Sequence, residues 1–298
     1  MSENTRRTML ALASMAFLSV IVVLFSIAPS VYLINHSKFG IVVIRVDDIQ
    51  DYYLHDAQIR LMQHSIDNGY PLSLGIIAKD FGLDSGLVET VRASLRVGSE
   101  VAVHGWVHED LTQLTASQQT TDLLRARNRL LNTVGVNASV LIPPTYGYSN
   151  ETLLAMNQAG YEIVSGYIDL NTAGRVNENI VSLPATVEVS DKDGDSWRMK
   201  SPDDLTAAIQ ASIASNGYAV LVTHPAEFIQ NGTFDEPAFG RYREVLEITS
   251  SRYGLTTLQG LKPMVLIWNL STSRLECCEF LTSTCSGLNE FFLDQGGT

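Results

Sequence analysis

Lysine is scarce in this chain of 298 residues: five lysines and fifteen arginines stand against 32 acidic residues, for a net charge of −12. No basic run extends beyond Arg6-Arg7, so a phosphate-tracking surface has little to be built from, and nucleic acid is not expected as a partner. Internal repeats, low-complexity linkers and a glycine-rich phosphate loop are also absent, which argues against a solenoid or a nucleotide-cradling site. Cysteine is down to three residues, Cys277, Cys278 and Cys285. With no histidine or fourth thiol nearby they match no zinc pattern, and one disulfide plus one free thiol is the simple expectation in an oxidising compartment. The hydrophobic content of 45% excludes disorder as the main state and allows a sizeable core. An acid-rich surface suits a salty medium or a cationic partner.

One stretch lacks charge altogether. From Thr8 to Ile34 the only ionisable group is Tyr32, and the run is long enough to cross the roughly 30 Å hydrocarbon slab as a helix. Arg6-Arg7 precede it, which favours a cytoplasmic N-terminus and an extracytoplasmic remainder. Ser26-Ile27-Ala28 offers a cut site for a signal peptide, but the run exceeds the usual apolar core of such peptides, so a retained anchor is expected. Five Asn-x-Ser/Thr triplets, at Asn35, Asn137, Asn150, Asn231 and Asn269, agree with export, although chance alone supplies about two. The expected division is an anchor over 1–35, one domain over 36–270 and an appendage with the cysteines over 271–298.

Past the junction, β-rich apolar runs alternate with helical ones. Residues 40–46 read as a buried strand, 56–68 as a helix closed by Gly69, 71–78 as a strand, 85–96 as a helix, and 100–103 as a strand. Thr115, with Gln118 three positions on, is a capping box for a helix to Val134. Strand 139–142, a helix from an Asn150 cap and a strand at 161–166 come next. Residues 166–200 are the least regular. Ser201-Pro202-Asp203-Asp204 opens another helix, and a strand at 218–223, a helix at 236–252 and an extended run at 264–270 complete the chain. This rhythm predicts an α/β fold with a mainly parallel sheet, open or closed as a barrel.

The informative feature is the polar residue at the end of each apolar run. "IVVIRV" ends at Asp47-Asp48, "EVAV" at His104 with His108 one loop on, "SVLI" at Pro143-Pro144, and "YAVLVT" at His224. In parallel α/β folds these C-terminal edges lie together and carry the ligand site. Each residue alone has an ordinary reading: the aspartates as a turn or a helix cap, His104 and His108 as loop histidines, His224 as a packed strand end. Two carboxylates and three imidazoles at one edge are costly for a core and wasteful for a surface, yet they suit metal-assisted hydrolysis. Two imidazoles and a carboxylate can hold a divalent ion with open positions; zinc suits best, and iron, cobalt or manganese also fit. A second carboxylate can then collect a proton from water, and a separate imidazole can protonate a leaving amine.

These residues resemble the polysaccharide deacetylase family of metal-dependent carbohydrate esterases, and particularly its membrane-anchored members. The likeness rests on "IRVDDI", "VHGWVHED", "LIPPTYGY" and "LVTHPAEF", in the family's order, over about residues 39–266. It implies a distorted (β/α) barrel of about seven strands and removal of an acetyl group from an N-acetylated sugar. It further implies Asp47 as general base, Asp48, His104 and His108 as metal ligands and His224 as general acid. Tyr146, through its backbone N–H, and Pro144 beside it would face the substrate and its oxyanion. The family's third motif carries an arginine before its prolines that orients the base; here that place is Ile142. "DGDSW", Asp193–Trp197, stands where a fourth motif supporting the acid histidine is sought, with a surface turn as its ordinary reading. The expected function is hydrolysis of a non-peptide C–N bond in a cell-surface or extracellular glycan. Ile142 motivates a rival, a catalytically silent glycan-binding domain on the same barrel. A phosphodiesterase is less apt, for want of further carboxylates or basic clamps.

Overall fold

Strand β1, Ile41–Ile49, is the element around which the sheet is assembled. The computed structural model describes residues 40–166, 174–194 and 196–267; the expected anchor and the three cysteines lie outside these residues. Among the described residues no helix is long and apolar enough to cross a membrane. The described residues from Ile41 on belong to one unit.

After β1 come α1 (His55–Asn68), β2 (Leu72–Ile76), α2 (Ser85–Arg96), β3 (Glu100–Val103), α3 (Ala116–Val134), β4 (Val140–Leu141), α4 (Asn150–Ala159) and β5 (Ile163–Val164). Short strands β6 (Gly174–Arg175), β7 (Val181–Ser182) and β8 (Val187–Glu188) occupy the irregular region, succeeded by a hairpin of β9 (Ser190–Asp193) and β10 (Ser196–Met199). Then come α5 (Pro202–Asn216), β11 (Tyr218–Thr223), a small hairpin of β12 (Ile229–Gln230) and β13 (Thr233–Phe234), α6 (Glu236–Arg252) and β14 (Gly254–Thr256). A last helix, α7, covers 258–267. The main sheet runs β6-β7-β5-β4-β3-β2-β1-β11-β8, with β14 also beside β1. All its pairings are parallel except β6 with β7. Of the two forms left open by the sequence, the open one is found: a half-barrel whose pairing path has two ends.

The period-two alternation of strands sorts the core into two layers. Val42, Ile44 and Val46 of β1, Val101 and Val103 of β3, Leu141 of β4 and Leu221 of β11 face the helices. Val43, Ala102, Val140, Ile142, Ile163, Val181 and Val220 form a separate inner layer. By the same parity Arg45 and Asp47 continue the inner face of β1, His104 that of β3, Ser165 that of β5 and His224 that of β11. The site is therefore the upper end of the inner layer, and its position is set by strand register.

Two expectations need correction. Residues 264–270 were expected to be extended, but 258–267 are helical as far as the described chain goes. Leu258, Leu261 and Val265 recur at helical spacing and fill the inner layer, and a short apolar run by itself does not separate strand from buried helix. The N-cap of α4 is Ser149, not Asn150, because the Ser149 side chain accepts from the Thr152 N–H while Asn150 is already helical. By contrast, Thr115 and Gln118 do form the expected capping box on α3. Replacing Thr115 with Ala should cost about 1 kcal/mol of unfolding free energy in urea denaturation; a loss below about 0.3 kcal/mol would show that the cap is idle.

Candidate metal centre

A regular strand would aim Asp47 and Asp48 to opposite faces. The register of β1 against β2 slips here, from Val46 opposite Leu74 to Ile49 opposite Ile76, so one extra residue is accommodated as a bulge, and Asp48 takes a left-handed backbone with φ of 60°. Bulges of this kind re-aim a side chain next to a functional site. The consequence is that adjacent aspartates serve one centre.

Asp48 Oδ1 lies 3.1 Å from His104 Nε2 and 3.2 Å from His108 Nε2, and one donor atom from each residue falls within 4.8 Å of the other two. His104 is buried, and its Nδ1–H donates to the Ile142 carbonyl at 2.9 Å. That bond fixes the tautomer and leaves the Nε2 lone pair directed at the centre. Two imidazole acceptors and a carboxylate converging on one point repel unless a proton or a cation lies between them, so the donor set fits a divalent ion. Burial opposes ionisation of Asp48, but the His104 and His108 rings beside it outweigh burial and hold its carboxyl far below the usual carboxylate range. The bond to Asp48 raises His108 above the ordinary imidazole value, against its partial burial. His108 is 40% exposed, so the centre opens to solvent on that side.

The loop joining the two histidines is built to hold them. Glu109 accepts from the N–H groups of Trp106 and Val107. Gly105 has φ of 77°, and a Cβ there would lie 2.9 Å from Pro144 Cγ and 3.0 Å from Glu109 Oε2. Pro144 is thus a buried packing partner of the histidine loop. The Tyr146 N–H donates to Pro143 O at 3.1 Å, so the backbone donor expected to face an oxyanion is engaged within its own turn; the Tyr146 ring instead lies beneath the Arg45 guanidinium, 5.3 Å away.

Asp47 is fully buried, with Arg45 Nε donating to Oδ1 at 2.9 Å and Arg45 Nη2 to Oδ2 at 2.7 Å. Across the site His224 Nε2 stands 3.9 Å from Asp47 Oδ2, while its Nδ1 is 2.8 Å from Glu227 Oε1. Glu227 also accepts from the His224 N–H and the hydroxyls of Thr223 and Ser190. Burial alone would lower the proton affinity of His224, but Glu227 and Asp47 reverse this and raise its pKa to about 9. Trp197 stacks on the His224 ring at 5.5 Å and 23°. The "DGDSW" segment spans the end of β9 and the start of β10, which pair antiparallel, and β10 delivers this tryptophan. Arg45 and Glu227 were not anticipated from the sequence. Arg45 had a signal, being two residues before Asp47 and therefore on its face; Glu227, three residues after His224 in a 3₁₀ turn, had none beyond proximity.

The sequence profile described as polysaccharide deacetylase matches residues 62–164, which include both histidines but neither aspartate nor His224. A presumed polysaccharide deacetylase from Mycobacterium smegmatis is 16% identical with a TM-score of 0.57, covering 77% of this chain and 91% of its own. A family 4 acetyl xylan esterase from Clostridium thermocellum, solved with a cobalt ion, is 13% identical with a TM-score of 0.52 over 75% of this chain and 91% of its own. A mutant of a family 4 pseudoenzyme with restored enzymatic activity is 13% identical with a TM-score of 0.50 over 76% of this chain and 68% of its own. This chain has the polysaccharide deacetylase fold. No curated protein matches it.

If the donor set holds one ion, protein loaded with zinc and freed of excess should retain about one equivalent by elemental analysis. Asp48→Ala and His104→Ala should retain almost none, while His224→Ala keeps it. Undiminished metal in either of the first two variants would place the ion elsewhere.

Proposed function

We propose that the chain is a metal-dependent hydrolase of a non-peptide C–N bond that removes the acetyl group from an N-acetylated cell-surface or extracellular glycan. The observation carrying this reading is the convergence of an Asp48, His104, His108 donor set with a buried carboxylate, Asp47, and a proton-retaining imidazole, His224. In it Asp48, His104 and His108 hold a divalent ion, zinc best and iron, cobalt or manganese next, which supplies Lewis acidity to the amide carbonyl and acidifies water. Asp47 takes the proton of the attacking water. As the new C–O bond forms and the C–N bond breaks, His224 passes its Nε2 proton to the leaving amine, and Glu227 keeps the ring oriented through Nδ1. The substrate is a neutral or weakly charged glycan, in keeping with an acidic chain that has few basic residues.

The same reading extends to location. The apolar run Thr8–Ile34 behind Arg6-Arg7 supports a membrane anchor with residues 36–270 on the extracytoplasmic side, and 271–298 as an appendage. The fold alone does not decide activity, since one of the similar structures derives from a pseudoenzyme. Ile142 in the place of an arginine is the ground for a silent domain, and the Arg45–Asp47 pair speaks for the active reading by giving the base a guanidinium from its own strand.

Acetate release from a panel of N-acetylated oligosaccharides by the zinc-loaded protein tests the reading. Turnover should fall on the alkaline side as His224 loses its proton, with a limb near 9. Glu227→Gln removes a carboxylate that favours the charged imidazole, so the limb should move to lower pH. An unmoved limb, or no acetate from any substrate by metal-loaded protein, would overturn the assignment.

A further inference from the structure

Arg45 leads the fully buried side chains by volume, in the middle of the central strand. A buried guanidinium is tolerated only when its charge is paired and its donors satisfied. Its fork meets both oxygens of Asp47, and Nη1 donates to Ser165 O at 2.8 Å and Ser165 Oγ at 2.9 Å. A methionine or leucine would fill this strand position at lower cost, so the arginine is explained by what it holds. It fixes the plane of Asp47, turning Oδ2 toward His224.

Position 142 approaches the same carboxylate from β4's side of the sheet. A Cβ placed on Gly75 would have Asp47 Oδ1 at 3.1 Å and Ile142 Cδ1 at 3.3 Å. The Ile142 side chain and the base thus converge over Gly75, where a Cβ would crowd both. Two arginines, one at 45 and one at 142, would set like charges against a single buried carboxylate.

We infer that Arg45 is the positioning residue of the base Asp47, supplied from the base's own strand, and that Ile142 is its apolar counterpart, so that the arginine is interchangeable between positions 45 and 142. This rests on the hydrolase reading for its kinetic arm only.

The test compares full-length wild type, Arg45→Met, Ile142→Arg and the double variant by bound zinc, thermal unfolding and steady-state deacetylation. Arg45→Met should keep its metal and KM within about threefold while kcat falls roughly 100-fold, the scale of a misplaced reacting group. Adding Ile142→Arg should recover at least about tenfold of that loss, whereas Ile142→Arg alone should impair the protein. Arg45→Met at near wild-type kcat, or a double variant no better than Arg45→Met, overturns the inference. Where Arg45→Met fails to fold, Arg45→Lys retains the charge without the fork and should still lose about tenfold in kcat; full activity in it overturns the inference equally. A wild type that binds zinc but releases no acetate sinks the hydrolase reading alone. In that case the melting temperatures decide: non-additive losses for Arg45→Met and Asp47→Asn, with partial recovery by Ile142→Arg, uphold the placement, and additive losses refute it.

Discussion

The slip of pairing between Val46 and Ile49 on β1 is the constraint on which the site depends. Without it, strand alternation would give the inner layer Asp47 and hand Asp48 to the helix-facing layer, among Ile44 and Val46. With it, one acid stays inside the half-barrel and its neighbour reaches the loop of β3. The cost is a non-glycine residue at positive φ, met again at His108, whose φ is 64°. Asp48 and His108 are two of seven non-glycine residues at positive φ among the described residues, and at these two the conformation aims a side chain into the donor set.

Behind the donor set lies a row of buried charges of alternating sign. Arg45 faces Asp47, Asp47 faces His224, and His224 faces Glu227, at 2.7, 3.9 and 2.8 Å. Removing any one would leave a neighbour uncompensated in a low-dielectric interior, which is far more costly than the pair is favourable. The row is neutral when His224 carries its proton, which is why that imidazole retains it well above its ordinary range despite burial. Trp197, stacked on the ring, adds a face that favours the cation. The same residues that stabilise the inner layer therefore set the proton inventory of the site.

Much of this was legible in the sequence because strand ends and helix caps are local signals. The limits of α2 and α6, the Thr115 cap on α3 and the gathering of Asp47, Asp48, His104, His108 and His224 at one edge are all set by periodicity and by the residues that terminate each run. The features that could not be read depend on through-space geometry. Ile142 suggested a missing arginine, since a search by position does not reveal a guanidinium moved to another strand. The Tyr146 donor was assigned from its place in a motif, but its own turn claims it. The helix at 258–267 reads as strand in isolation, because only the inner layer beneath it decides which way its leucines and valine turn.

The central claim is that Asp48, His104 and His108 enclose a single cation. Anomalous diffraction at the zinc edge, on crystals grown with the metal, tests it most directly. The account predicts one strong peak within about 2.0–2.2 Å of one Asp48 oxygen and the Nε2 atoms of both histidines. A peak elsewhere on the chain, or none between these three side chains under saturating zinc, would contradict it.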